Sequence, residues 1–316
     1  MKLYRFGFEN RLLPSGAFFP DAYIFAPGRY DGQLSIHSQT QGNTSFISVV
    51  LPESQSKISI SYYLMQNQQG EADTQKIIEI GNINTRINIS ASLLYTYLND
   101  TLINTASLIS PDAMGFNCIK ALYSLTDQLT ASVSYGDRLN QLDTHAIYNH
   151  QNEFFSRSMN IFTSNKYIDD VAIDCDTIDF PPAINCKIAS IISTGSSFSW
   201  RKLNDAIAGS ILDILNGQVT ESLIFTESTS SLCTIKLEEQ FNQIDGMNFY
   251  LSDLYSEDSV ISPELLVRLN DEDITSCSIY PKNSYTKNQP MTSLTSIDST
   301  TFNSSEFQFK IKQSTS

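Results

Sequence analysis

Lys57-Ile58-Ser59-Ile60-Ser61-Tyr62-Tyr63-Leu64-Met65 is the stretch that decides the fold. Ile58, Ile60, Tyr62 and Leu64 fall on one side of an extended chain, which is the period-two pattern of a strand with one face in a core. The same signal recurs outward in both directions. Leu3–Glu9 puts Tyr4, Phe6 and Phe8 on one side, and Phe46-Ile47-Ser48-Val49-Val50 reads as a buried strand. Gly32–His37, Lys76–Ile80, Arg86–Ile89, Leu93–Leu98, Cys118–Tyr123, Leu129–Tyr135, Met159–Phe162 and Lys166–Asp174 follow. Turn residues separate them: Pro14-Ser15-Gly16, Pro27-Gly28, Asp31-Gly32, and Asn99-Asp100 as a hairpin turn. Short strands at this spacing predict sandwiches rather than βαβ units.

Phe180-Pro181-Pro182 breaks the series, because two prolines cannot donate to a central ladder. The expected architecture is all-β, with two jelly-roll-like β-sandwich domains in tandem at 1–183 and 184–316. In the second half the expected strands are Ile184–Ile192, Ser222–Thr226, Leu232–Leu237, Gly246–Tyr255, Glu264–Leu269, Ser276–Tyr280 and Glu306–Ile311. Asp205–Leu215 has helical spacing and reads either as a short helix or as a loop plus strand. Thr292–Ser305 is Ser/Thr-rich and reads as a long loop.

Composition narrows the function. With 316 residues and 41% apolar content, each half can bury a core. The net charge of −14 would be repelled by a phosphate backbone, so no nucleic-acid partner is expected. No run approaches the roughly 20 apolar residues that span a bilayer, so no membrane insertion is expected. Met1–Phe6 lacks the apolar core of a signal peptide, and no export signal is expected. The five cysteines form no CxxC pair, which leaves structural zinc without ligands. Cys175 and Cys186 are close enough in sequence to bridge, but free thiols in a reducing compartment are the expectation.

Catalytic motifs are lacking. His37, His145 and His150 fit no HExxH spacing and are expected as surface or turn residues. There is no GxSxG elbow, GxxxxGK[ST] loop or GxGxxG loop. A glycosidase would need two carboxylates across one cleft. Asp169 and Asp170 are adjacent, and on a regular strand they point to opposite faces. The expectation is therefore no enzyme and no resident cofactor. One alternative is calcium at a sandwich rim, held by Asp169, Asp170 and Asp174. Asp271-Glu272-Asp273 reads as an exposed acidic turn. For sugar binding, the candidate aromatic platforms are the lone Trp200 and the Tyr62-Tyr63 pair.

Three stretches carry a resemblance. They are Leu3-Tyr4-Arg5-Phe6-Gly7-Phe8-Glu9-Asn10 with Pro14-Ser15-Gly16, then Gly28-Arg29-Tyr30-Asp31-Gly32-Gln33-Leu34-Ser35-Ile36, and Lys166-Tyr167-Ile168-Asp169-Asp170-Val171-Ala172-Ile173-Asp174. Together they resemble the laminin-G-like/concanavalin-like jelly rolls of tailed-bacteriophage virion proteins. The second half, with Ile244-Asp245-Gly246-Met247-Asn248-Phe249-Tyr250-Leu251, is similar to the domain that accompanies such modules. The resemblance implies a virion structural protein: capsid decoration, a neck or tail accessory, or a fibre component. It would be made in the host cytoplasm, assembled with other virion structural proteins, and displayed as a homo-oligomer. The alternative is a carbohydrate-binding adhesin that meets a host surface glycan. Fold does not choose between them.

Overall fold

In a computed structural model of the chain, the alternating sequences form antiparallel ladders. The described residues are 1–8, 11–14, 16–19, 23–30, 33–38, 45–51, 57–66, 74–81, 83–88, 91–107, 115–125, 128–135, 143–149, 158–177, 179–182, 184–187, 189–203, 209–216, 218, 224–226, 228, 231–238, 243–252, 254–257, 263–284 and 288–312. The Asp31-Gly32 turn, Ser15, His150, Ser222 and the start of the Asp205–Leu215 segment lie outside them. The chain divides into two compact units, Met1–Lys187 and Ile188–Ser316.

The first unit contains β1 (Lys2–Phe6), β2 (Ala17–Phe18), β3 (Ile24–Pro27), β4 (Leu34–His37), β5 (Phe46–Val50), β6 (Lys57–Gln66), β7 (Gln75–Ile80) and β8 (Ile83–Asn88). It continues with β9 (Leu93–Leu98), β10 (Thr101–Ser107), β11 (Asn117–Leu125), β12 (Gln128–Tyr135), β13 (Asp143–Asn149), β14 (Ser158–Phe162) and β15 (Lys166–Cys175). One sheet runs β13-β12-β11-β6-β15-β4-β3, with β1 also paired to β15; the other runs β10-β9-β8-β7-β14-β5-β2. Their facing sides share one core. Ile58, Ile60, Tyr62 and Leu64 of β6 meet Ile47, Val49, Ile78, Ile87 and Ile161 from the second sheet. Each buried aliphatic side chain contributes roughly 1.5–3 kcal/mol. The Tyr62 hydroxyl donates to the Ile77 carbonyl at 3.3 Å, and the Tyr123 and Thr85 hydroxyls bond at 2.9 Å, so both phenols are satisfied inside the sandwich. Asn99 and Asp100, at φ 48° and 60°, make the β9–β10 hairpin turn.

In the second unit β16 (Ile191–Thr194), β19 (Leu232–Leu237), β26 (Phe307–Lys312), β22 (Glu264–Leu269) and β23 (Glu272–Ser278) form a five-stranded antiparallel sheet in that order. Two-stranded ribbons add β17 (Arg201–Lys202) with β18 (Ile224–Phe225), β20 (Gln243–Ile244) with β25 (Ile297–Asp298), and β21 (Met247–Ser252) with β24 (Asn288–Ser293). Phe249 of β21 packs on Phe307 and Phe309 of β26. The helical alternative holds for the end of 205–215. Helix α1 spans Ile211–Leu215 and is closed by a capping box between Ser210 and Asp213.

Three expectations need correction. Thr292–Ser305 is not a long loop: it carries the end of β24, β25 and helix α2 (Ser299–Ser304), which starts where the Asp298 carboxylate accepts the Thr301 N–H. Ile184–Ile192 is not a strand. Strand pairing begins only at Ile191, in β16; residues 184–186 instead bond to Arg29, Gln33 and Asp170 of their own unit. His37 is not a surface residue either; it is 8% exposed, and its ring lies 4.6 Å from that of Tyr167.

Candidate functional site

The site is built where β15 departs from regular pairing. Asp169 lies opposite Tyr63, and the next paired residue, Ala172, lies opposite Ser61. Three steps on β15 therefore match two on β6, which is a β-bulge with one extra residue. Asp170 takes up the extra residue with φ 48°, a left-handed conformation that Asp tolerates better than most residues. The bulge overturns the expectation that neighbouring carboxylates face opposite ways. Asp169 and Asp170 are both fully buried, and both reach Arg29.

Arg29 is the hub. Its backbone N–H donates to Asp169 Oδ2 at 3.0 Å, and its Nη2 lies 3.3 Å from Asp170 Oδ2. Nη2 also donates to the Ile184 carbonyl at 3.3 Å. The guanidinium lies over two rings, 3.4 Å from the Tyr63 centroid and 4.4 Å from that of Tyr30. Gly28 makes the approach possible, since a Cβ there would sit 2.8 Å from Asp169 Oδ2. Asp169 Oδ1 accepts the Asp170 N–H at 2.9 Å. Burial, and then the neighbouring Asp170 carboxylate, push Asp169 up to about 7. Burial also raises Asp170.

A strap of the same unit closes over these groups. The Cys186 N–H donates to Asp170 Oδ1 at 2.8 Å. Gln33 Nε2 donates to the Cys186 carbonyl and to Asn185 Oδ1, and Ser61 Oγ donates to the Pro182 carbonyl at 2.9 Å. Three of these bonds use the backbone groups of Pro182 and Cys186 that a strand would have placed in a ladder. Outside the strap, a recess of about 520 Å³ opens beside Arg29, lined by Pro27, Gly28, Tyr30, Tyr63, Met65 and Phe116 among others. Tyr30 is 50% exposed there.

The sequence candidates fall in different places. Tyr63 backs the site, 9% exposed under the guanidinium. Tyr62 points into the sandwich core at 0% exposure, so it offers no face to a ligand. Trp200 belongs to the second unit, where its ring packs against the hydrophobic core. The calcium set does not fit a cation. Asp169 and Asp170 are occupied by backbone N–H donors and Arg29, and Asp174 pairs with Arg5 at 2.8 Å. No group of three His, Cys, Asp or Glu side chains among the described residues could hold a metal ion. Arg29 and Tyr30 escaped sequence reading as site residues, because they lie between the Pro27-Gly28 and Asp31-Gly32 turn signals and entered only as part of the stretch that carries the resemblance. The available signal was the Asp-Asp doublet inside a strand otherwise rich in apolar residues, which demands a buried cation nearby.

No family model matches the chain, and no curated protein matches it. Solved structures with a similar course include a botulinum neurotoxin type C structure whose cell entry depends on two ganglioside molecules. It is 10% identical, with TM-score 0.40, covering 100% of this chain and 98% of that one. The Ca2+/Man-bound exoplasmic/lumenal domain of VIP36 is 8% identical, with TM-score 0.36, covering 55% of this chain and 91% of that one. The botulinum neurotoxin serotype G binding domain is 13% identical, with TM-score 0.30. The match covers 53% of this chain and less than half, 43%, of that domain.

Proposed function

We propose that the chain is a glycan-binding β-sandwich protein, with Tyr30 as the sugar platform of the first unit. The observation that carries this reading is the half-exposed Tyr30 ring held on the Arg29 guanidinium at the mouth of the recess. Sugar C–H faces stack on such rings, and a ring already fixed by a cation beneath it loses little entropy on binding. The recess volume falls within the range of small-ligand pockets. Arg29 is already neutralised by buried carboxylates, so the ligand is a neutral glycan rather than an acidic one. The protein binds and does not cleave, because Asp169 and Asp170 are sealed from the recess at 0% exposure.

The test is a glycan array with the intact chain and Tyr30→Ala. Saturable binding to a neutral glycan that falls at least tenfold in the variant supports the reading. A blank array, or binding that Tyr30→Ala leaves unchanged, overturns it.

The virion structural role is a second proposal, and it rests on the sequence resemblance. The three stretches that carry the phage resemblance meet in one place: β1 and β4 both pair with β15, and Gly28-Arg29 packs on its bulge. In this proposal the chain is displayed as a closed oligomer among other virion proteins. Its presence in the proteome of purified particles supports the proposal, and its absence from well-formed particles ends it.

A further inference from the structure

Two fully buried carboxylates lie at one arginine, Asp170 on the Arg29 guanidinium and Asp169 on the Arg29 backbone N–H, beneath a strap that is tied down by side chains. We propose that the Asp169–Asp170 pair is a proton-operated latch, which holds the strap of Pro182 and residues 184–186 when the pair carries one proton and loosens it when both are ionised.

The geometry argues for this in three steps. With one proton on the pair, the charge of Arg29 balances the single remaining negative charge. With none, a net negative charge is left between β15, the Gly28-Arg29 segment and the strap, and an uncompensated buried charge is costly. Relief requires water, and the strap is a cover held by few bonds. It lies outside every ladder, and Pro182 and Asn185 are exposed.

Among the described residues no other group supplies a compensating charge. From the segment before β4 come Arg29 and the Tyr30 phenol; from β6 comes the Tyr63 ring, and from the strap the Cys186 side chain, which also hydrogen-bonds Asp170. On β15 itself, the Lys166 ammonium donates to the Ser164 carbonyl at 2.8 Å, and Asp174 is paired with Arg5. The direction of the pH effect follows from proton binding. Asp169 sits at about 7 in the fold against an ordinary 3.8. The native state therefore holds an extra proton between those values, and the stabilisation it brings is lost as pH rises through about 7.

The experiment is hydrogen exchange of the intact chain at pH 5.5 and 8.5, with each amide referred to its intrinsic rate at that pH. Amides of β26 in the second unit serve as the internal reference. The strap amides, Cys186 N–H first, should lose roughly tenfold or more in protection at the higher pH, the effect of one pK unit of coupling or more. In Asp169→Asn the loss should vanish while β26 stays unchanged. Equal strap protection at both pH values in the wild type overturns the proposal, even if the variant does not fold. So does an undiminished pH effect in a folded Asp169→Asn. Neither result depends on what the recess binds, so failure of the glycan reading is separately visible.

Discussion

Strand β15 carries two acid–arginine clusters five residues apart. At one end Arg5 and Asp174 pair one to one at 2.8 Å, and Arg5 also donates to the Tyr4 and Ile173 carbonyls, stitching β1 to β15. At the other, two buried carboxylates meet one arginine, Asp170 at its guanidinium and Asp169 at its backbone N–H. Both clusters are covered, but their charge balance differs. The balanced pair needs nothing further from the protein. The unbalanced one needs a proton, a roof and a precisely placed cation, and that cation then supports the exposed ring of Tyr30. An excess charge under a strap is where structure becomes sensitive to its surroundings.

The largest expected effect separates the two clusters directly. Arg29→Met keeps the stem but strands both carboxylates, and should cost about 3–5 kcal/mol at pH 7.5. Much of that should be regained at pH 5, where the pair takes up protons. Arg5→Met leaves one carboxylate that is 15% exposed, and should cost about 1–3 kcal/mol. Urea denaturation of both variants checks this. Equal losses would erase the distinction between the clusters.

The next effect concerns pH. Wild-type stability from the Asp169 site should fall as pH rises from about 4 to about 7 and then level off, because the raised acid binds its proton more tightly in the fold. Ordinary paired carboxylates give the opposite slope. Denaturation curves at pH 5, 6, 7 and 8 should show that Asp169→Asn lacks this component.

Smaller effects mark the edges of the site. Tyr123→Phe removes a buried hydroxyl partner of Thr85 and should cost about 1 kcal/mol without altering ligand binding. Tyr30→Ala should change stability by no more than about 0.5 kcal/mol, since the ring is half exposed. Its effect belongs to binding, and a large loss of stability would recast Tyr30 as structural.

The contrast also explains what the sequence revealed. β6 was legible because Ile58, Ile60, Tyr62 and Leu64 keep strict alternation, and the Asn99-Asp100 turn was legible because both residues accept positive φ. The all-β sandwich architecture followed from these. The bulge was not legible as one: Ile168 and Val171 both enter the core, a step of three across the Asp-Asp doublet that alternation alone does not interpret. The strap was misread for a related reason. Ile184–Ile192 alternates well enough for a strand, but Arg29, Gln33 and Asp170 capture the backbone of Ile184 and Cys186. Trp200 drew attention as the lone tryptophan, and it packs on a core instead. Side-chain capture of backbone over long sequence separations leaves no periodic trace.

The most direct test is a carbon-13 NMR titration of the Asp169 and Asp170 carboxyls in the intact chain. One proton should remain on the pair until near neutral pH, leaving at about 7, and Asp169→Asn should abolish that step. If both carboxyls are fully ionised at pH 5, the cluster carries no shared proton, and the strap has no latch.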